Sequence, residues 1–364
     1  MPLDPFFAER LRVHRRYLLG RAWSDLRARV RVAWRFGRED AATPAVSSAP
    51  AAASAARGEA SAPTLSRPAQ LRATHRRAAL AWDRTEQKTV GLPGPPLRIT
   101  EHTVAVDGAP DVRVRIYHPD ATGPVPACLT FFGGAFRIGG IDYPTTDAAC
   151  RRRAASAGVA MVAVEYALAP EHRYPVAVEQ AHAALLWLHR EAETLGVDRE
   201  RLGVAGTSAG AAIAAALTLV NRDRERLPLR LQVLEVPVTD LTGRHLDLRP
   251  TWALGIPSLI ALRELRSIAR TYLARPEQAR EQLASPLRAA SHADLPSAVI
   301  LTAEYDPLRG DGAAYAAALR RAGVEASAVR YLGVTHDIPI FVGALEAARR
   351  WEDDVVRALR RLHV

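Results

Sequence analysis

The chain has 364 residues and a mass of 39.5 kDa, with 48% apolar and 24% charged residues, enough to bury one sizeable core or two smaller ones. A mini-protein and a wholly disordered chain are excluded. Its two cysteines, Cys128 and Cys150, offer neither a disulfide framework nor a zinc-ligand spacing, and both are expected to be buried, reduced and inert. The formal charge of +10 is concentrated at the front: between Phe6 and Arg38 ten arginines stand against Glu9 and Asp25, 10 minus 2 or +8. The remainder is close to neutral, and no nucleic-acid partner is expected.

In chain order, Phe7, Leu11, Leu18, Ala22, Leu26, Val30 and Ala33 recur at helical spacing with arginines around them, which predicts a basic amphipathic helix within residues 1–40. Three uses stay open for it: packing or self-association into a homodimer, contact with an anionic membrane surface through residues 5–38, and an organellar transit peptide. It lacks the apolar region and cleavage site of a secretory signal, and no run of 18 apolar residues occurs anywhere. A cytoplasmic location, with peripheral membrane contact as an option, is the expectation. Residues 41–70 are almost entirely Ala, Ser, Pro, Thr and Gly and read as a flexible linker to a folded domain over residues 71–364.

From there short β-rich runs alternate with helical periods. The predicted strands are His102 to Val106, Val112 to Tyr117, Ala127 to Phe132, Ala160 to Tyr166, Leu202 to Ala205, Leu231 to Val236, Ala298 to Ala303 and Ala328 to Leu332. Helices are predicted over Thr145 to Ala157, Val176 to Leu195, Ala209 to Asn221, Leu259 to Ala274, Gly312 to Arg321 and Ile340 to Leu362. The first two strands are close enough for a hairpin. The rest are separated by crossover helices, which implies an α/β fold with a mostly parallel central sheet flanked by helices. Binding sites in such sheets gather at the carboxyl ends of the strands.

Three loops at such ends carry chemistry. Gly206-Thr207-Ser208-Ala209-Gly210 joins a strand to a small-residue helix, the setting in which a nucleophilic serine sits on a sharp turn whose neighbours must be small. A serine hydroxyl needs a base, and the base an orienting acid. Asp306 and His336 follow the last two strands in the order Ser, Asp, His. His172, His245 and His292 also sit in loops, but only His336 lies between the final strand and the final helix. Glu304 and Asp311 compete for the acid role, and Asp306 is preferred because Pro307 fixes a turn directly after the strand. The run Phe131-Phe132-Gly133-Gly134-Ala135-Phe136-Arg137 can point successive N–H groups into one concavity.

With Tyr166-Ala167-Leu168-Ala169-Pro170-Glu171-His172-Arg173-Tyr174-Pro175 as a further landmark, the chain from about Leu97 to His363 resembles the hormone-sensitive-lipase-like family of α/β-hydrolases, the bacterial family IV carboxylesterases. Thr207 matches its Gly-Thr-Ser-Ala-Gly branch. The resemblance implies Ser208 as nucleophile, His336 as base, Asp306 as acid, and the N–H groups of Gly134, Ala135 and Ala209 as the oxyanion hole. It also implies a cap over the site, formed by an insertion at about residues 240–290 with amino-terminal helices, and an acyl or alcohol pocket lined by Phe136 and Trp252, although that apolar stripe reads equally well as ordinary core.

Two residues depart from the family's His-Gly-Gly-Gly: Phe132 and Ala135 stand at its first and last positions. A phenylalanine can only pack where the histidine hydrogen-bonds, so a less rigidly aimed loop is expected. The function expected is hydrolysis of short to medium acyl esters through an acyl-enzyme, with no metal and no organic cofactor. An amidase or formamidase on the same scaffold, a ligand-binding relative without catalysis, and a membrane-surface lipase are the alternatives.

Overall fold

The computed structural model describes residues 1–13 and 66–364. The chain divides into two units, Pro2–Arg72 and Met1 with Ala73–Val364. In the first, residues 5–13 are helical (α1) and Phe7 is buried. The rest of the predicted basic helix and most of the predicted linker, residues 14–65, lie outside the described residues. The linker ends earlier than expected, because residues 67–70 are already the first turn of α2 (Arg67–Thr89). Pro68 stands there, where a missing N–H costs nothing, and Gln70 N donates to the Ser66 carbonyl at 2.9 Å. Periodicity does not reveal α2, since its buried residues are the acidic Asp83 and Glu86.

The second unit is built on eight strands: β1 (Arg98–Val104), β2 (Val112–His118), β3 (Val125–Phe131), β4 (Ala160–Val164), β5 (Val197–Thr207), β6 (Leu229–Glu235), β7 (Ser297–Ala303) and β8 (Ala326–Tyr331). They form one sheet in the order β1-β2-β4-β3-β5-β6-β7-β8. β1/β2 and β2/β4 are antiparallel and every later pair is parallel. All eight predicted strands are present, and the α/β expectation holds. The central strands are apolar on both faces; all of β4, Ala-Met-Val-Ala-Val, is buried.

Between them run α3 (Pro144–Ala157), α4 (Val176–Arg190), α5 (Ala192–Leu195), α6 (Ala209–Arg224), α7 (Arg249–Ala253), α8 (Ser258–Tyr272), α9 (Arg309–Arg321) and α10 (Glu346–Arg360). The predicted last helix starts late: Gly343 interrupts it and donates to the Val90 carbonyl at 2.9 Å. Asp83 of α2 accepts from Thr145 N at 3.1 Å and from the Thr145 hydroxyl, satisfying the start of α3 from outside that helix. Cys128 and Cys150 are buried and unpaired, as expected, and burial pushes the Cys150 thiol up to about 12. No helix among the described residues is long and apolar enough to cross a membrane.

The strand order places the site. The chain runs from β3 to β4 on one side of β3, then returns to lay β5 on the other. Order therefore reverses between β3 and β5, the crevice where open α/β sheets bind ligands at the carboxyl ends of their strands. The glycine loop leaves β3 at that point and Ser208 leaves β5 beside it. The cap insertion leaves β6 and carries α7 and α8 before the chain re-enters at β7.

Candidate active site

Ser208 is the residue between β5 and α6 and has φ 56° and ψ −114°, a conformation that a residue with a Cβ adopts only when its surroundings enforce it. One enforcing contact is at Gly210, where an added Cβ would collide with the carbonyls of Phe131 and Phe132. The elbow and the glycine loop thus touch backbone to backbone. His336, in the loop after β8, places Nε2 3.0 Å from Ser208 Oγ and donates from Nδ1 to Asp306 Oδ2 at 2.7 Å. Asp306 is buried, and its second oxygen accepts from Leu308 N at 2.9 Å.

Burial opposes charge on His336, but the adjacent Asp306 carboxylate and its hydrogen bond outweigh that and raise the imidazole from 6.5 to about 9. The acid and base loops are tied together: Tyr305 N donates to the Val334 carbonyl at 2.9 Å. Of the competing acids, Glu304 accepts from Gly333 N at 2.7 Å and so anchors the histidine loop. Asp311 accepts from Thr239 N and Asp240 N at 2.8 and 2.9 Å, at the start of the cap insertion, and burial raises it to about 7. Among the other loop histidines, His292 donates to the Pro286 carbonyl at 3.1 Å.

Gly134, Ala135 and Phe136 all have positive φ, at 133°, 55° and 59°. The loop therefore curls tightly, and a Cβ at Gly134 would collide with the Ile138 carbonyl. The N–H groups of Gly134, Ala135 and Ala209 donate to no acceptor among the described residues. Three such donors beside a serine suit a developing oxyanion.

The expectation that Phe132 leaves this loop held by packing alone needs correction. The Phe132 ring does stack on Tyr166, with centroids 4.1 Å apart and planes at 13°. In addition, the Tyr166 hydroxyl donates to the Phe132 carbonyl at 2.8 Å, so a hydrogen bond to the main chain replaces one from the side chain. Farther along, Ala169 N donates to the Phe136 carbonyl at 2.8 Å and Arg76 Nε to the Arg137 carbonyl at 3.0 Å.

Residues 128–340 match the profile of the alpha/beta hydrolase fold, more than half of the chain. The chain belongs to the α/β-hydrolase family. Carboxylesterase NlhH of Mycobacterium tuberculosis is 35% identical over 274 residues, covering 73% of this chain and 83% of that protein. Ethyl acetate hydrolase of Pseudomonas putida is 35% identical over 252 residues, covering 68% and 78%. The crystal structure of EstE1, a thermostable carboxylesterase from a metagenomic library, superposes with a TM-score of 0.73 at 34% identity over 80% of this chain and 97% of its own.

In this α/β-hydrolase a cavity of about 660 Å³ opens over Ser208 and His336. Its walls are largely apolar: Ala79 and Trp82 of α2 on one side, Ala261, Leu265 and Ile268 of α8 on another. Phe136 is among its lining residues, fully buried with its ring stacked on Tyr272 at 3.8 Å. Trp252 does not. It is 73% exposed, lies outside the cavity walls and donates from Nε1 to the Ser258 hydroxyl. The reason is helical phase: Pro250 and Thr251 are the buried residues of α7, and one step of about 100° turns the next side chain outward.

The wall residues of α8, Ala261, Leu265 and Ile268, share a four-and-three spacing that marks one face of the predicted helix. Trp82 gave no usable signal among the charged residues of α2.

Proposed function

We propose that this α/β-hydrolase is a carboxylesterase that cleaves short to medium acyl esters through an acyl-enzyme. The observation that carries the reading is the imidazole of His336, bridging Ser208 Oγ at 3.0 Å and Asp306 at 2.7 Å beside three free N–H donors. The names of the 35%-identical relatives point the same way.

Ser208 Oγ attacks the ester carbonyl carbon while its proton passes to His336 Nε2. The carbonyl oxygen becomes an oxyanion facing the N–H groups of Gly134, Ala135 and Ala209, which is the step such donors accelerate most. Asp306 keeps Nδ1–H pointed at itself, so Nε2 is the nitrogen left to exchange protons with the serine and the leaving group. His336 returns the proton to the departing alkoxide, leaving Ser208 acylated. Water, deprotonated by the same nitrogen, then releases the carboxylic acid. The apolar walls around Leu265 and Ile268 suit an aliphatic acyl or alcohol group, and the finite volume of about 660 Å³ favours shorter chains.

The test is hydrolysis of a p-nitrophenyl ester series from acetate to palmitate by the full chain and by Ser208→Ala. The expected result is activity that declines toward long chains and a loss of at least ~1000-fold in the variant with its fold intact. Retention of more than a few per cent would place the nucleophile elsewhere.

A further inference from the structure

Glu235, the last residue of β6, is fully buried, yet its carboxylate touches four donors. Arg153 of α3 donates twice, Nη1 to Oε1 at 2.7 Å and Nη2 to Oε2 at 3.0 Å. Trp351 of α10 donates from Nε1 to Oε2 at 2.6 Å, and Thr207 donates its hydroxyl to Oε1 at 3.2 Å. Behind Arg153, Glu352 accepts from Arg153 at 3.0 Å and from Arg152 at 3.1 Å, so two carboxylates meet two guanidinium groups. A buried carboxylate costs several kcal/mol unless it is paired and hydrogen-bonded, and this one is both.

An ion pair that served only to join α3, α10 and the sheet would have no need to touch the nucleophile elbow. Glu235 touches it twice. Thr207 and Glu235 are register partners in the parallel β5/β6 pair. The carboxylate holds the Thr207 hydroxyl, and the Glu235 carbonyl accepts from Ser208 N at 2.8 Å. Two consecutive residues of the elbow, one of them at φ 56°, are thus fixed from a single neighbour that is itself locked by Arg153 and Trp351. Thr207 and Arg153 also line the cavity, so this anchor adjoins the space over Ser208 rather than a remote face of the sheet.

We propose that Glu235 is a positioning residue for the nucleophile, holding Thr207 by its side chain and Ser208 by its main chain so that Ser208 Oγ stays aimed at His336. This rests on the reading of Ser208 as nucleophile. Thr207 is the handle through which the carboxylate acts. Its hydroxyl can be removed without disturbing the Arg153 and Trp351 contacts that stabilise the fold.

The experiment compares Thr207→Val, Thr207→Ser and Glu235→Gln in the full chain. It reads the rate of Ser208 labelling by a fluorophosphonate, kcat and KM on p-nitrophenyl butyrate, and Tm. Labelling forms the Ser208 Oγ–P bond and expels fluoride, so it reports the reactivity of the serine directly. For Thr207→Val the expected result is a loss of about tenfold in both labelling and kcat, with KM changed less than about twofold and Tm nearly unchanged. Thr207→Ser, which keeps the hydroxyl, recovers most of that loss. Glu235→Gln, which turns an amide N–H toward Arg153, loses more. Should it fail to fold, the two Thr207 variants still decide. Wild-type labelling and turnover in Thr207→Val would overturn the proposal. Wild-type protein labelled at a residue other than Ser208, or an active Ser208→Ala, would instead overturn the functional reading on which it rests.

Discussion

Removing the Tyr166 hydroxyl separates the aim of the oxyanion loop from its packing. Tyr166→Phe keeps the ring stacked on Phe132 at 4.1 Å and deletes the one hydrogen bond that the hydroxyl donates to the Phe132 carbonyl at 2.8 Å. Both residues are buried, with Tyr166 1% and Phe132 7% exposed, so water cannot readily take the donor's place. Leaving a buried carbonyl unpaired costs about 1–3 kcal/mol, which corresponds to a fall in Tm of several degrees.

Part of that cost should appear in catalysis, because Gly133 follows immediately and Gly134 and Ala135 are two of the three proposed oxyanion donors. A whole donor is worth about 3 kcal/mol, or roughly 100-fold in kcat, and a donor that has lost its aim should forfeit about half of that, roughly tenfold. The assay is steady-state hydrolysis of p-nitrophenyl butyrate with a thermal melt on the same sample. The expected result is a kcat lowered about tenfold with KM within about twofold, since the oxyanion forms only on the way to the transition state. Burial holds the Tyr166 hydroxyl far above its ordinary range, so it stays a neutral donor and the ratio of variant to wild type should not vary from about pH 6 to about pH 10. A lowered Tm with unchanged kcat would refute the reasoning: the bond would then be one of packing alone.

Three further outcomes follow from the site. His336 must lose its Nε2 proton to act as base, so kcat/KM should rise with pH through a midpoint above 6.5 and as high as about 9, and Asp306→Asn should move that midpoint down; a wild-type midpoint at or below 6.5 would contradict the coupling. The sign for stability is opposite: this native state binds the proton more tightly than the unfolded chain, so the contribution is complete below 6.5 and is lost as pH rises through about 9. Ile268→Trp should shorten the longest p-nitrophenyl ester accepted, whereas Trp252→Ala should leave KM for every ester within about twofold, because only the first side chain lines the cavity; an altered chain-length profile in Trp252→Ala would return that residue to the pocket.

The legible parts of the fold share a physical cause. Strands β3, β4 and β7 are largely apolar runs and β5 carries one over Leu202–Ala205, and burial on both faces of a parallel sheet writes that pattern directly. The order Ser, Asp, His was legible for a related reason: each of Ser208, Asp306 and His336 follows a strand that could be read, and parallel strands bring their carboxyl ends together whatever their distance in sequence. What failed was phase. Trp252 lies in an apolar stretch of the cap insertion, but without the exact start of α7 a residue on one face cannot be told from its neighbour on another.

The unread residues have a cause too, and it bears on where positioning groups are found. A reading by apolar period assigns a charged residue to the surface, so it passes over buried carboxylates whose hydrogen-bond partners are distant in sequence. Asp83 reaches 62 residues to cap α3, Asp311 reaches back 72 residues to the start of the cap insertion, and Glu235 joins residues 153, 207 and 351. Each is deeply buried and each holds a backbone or side chain adjoining the cavity or the cap. Burying a carboxylate is costly enough that a fold keeps it only where several donors converge, and several donors converge only where segments far apart in the chain must be fixed together. In this sheet that requirement is greatest at the β3/β5 crevice. The elbow, the glycine loop and the histidine loop meet there from separate strands, so Glu235 and Asp311 stand at the same ends of the strands as Ser208, Asp306 and His336.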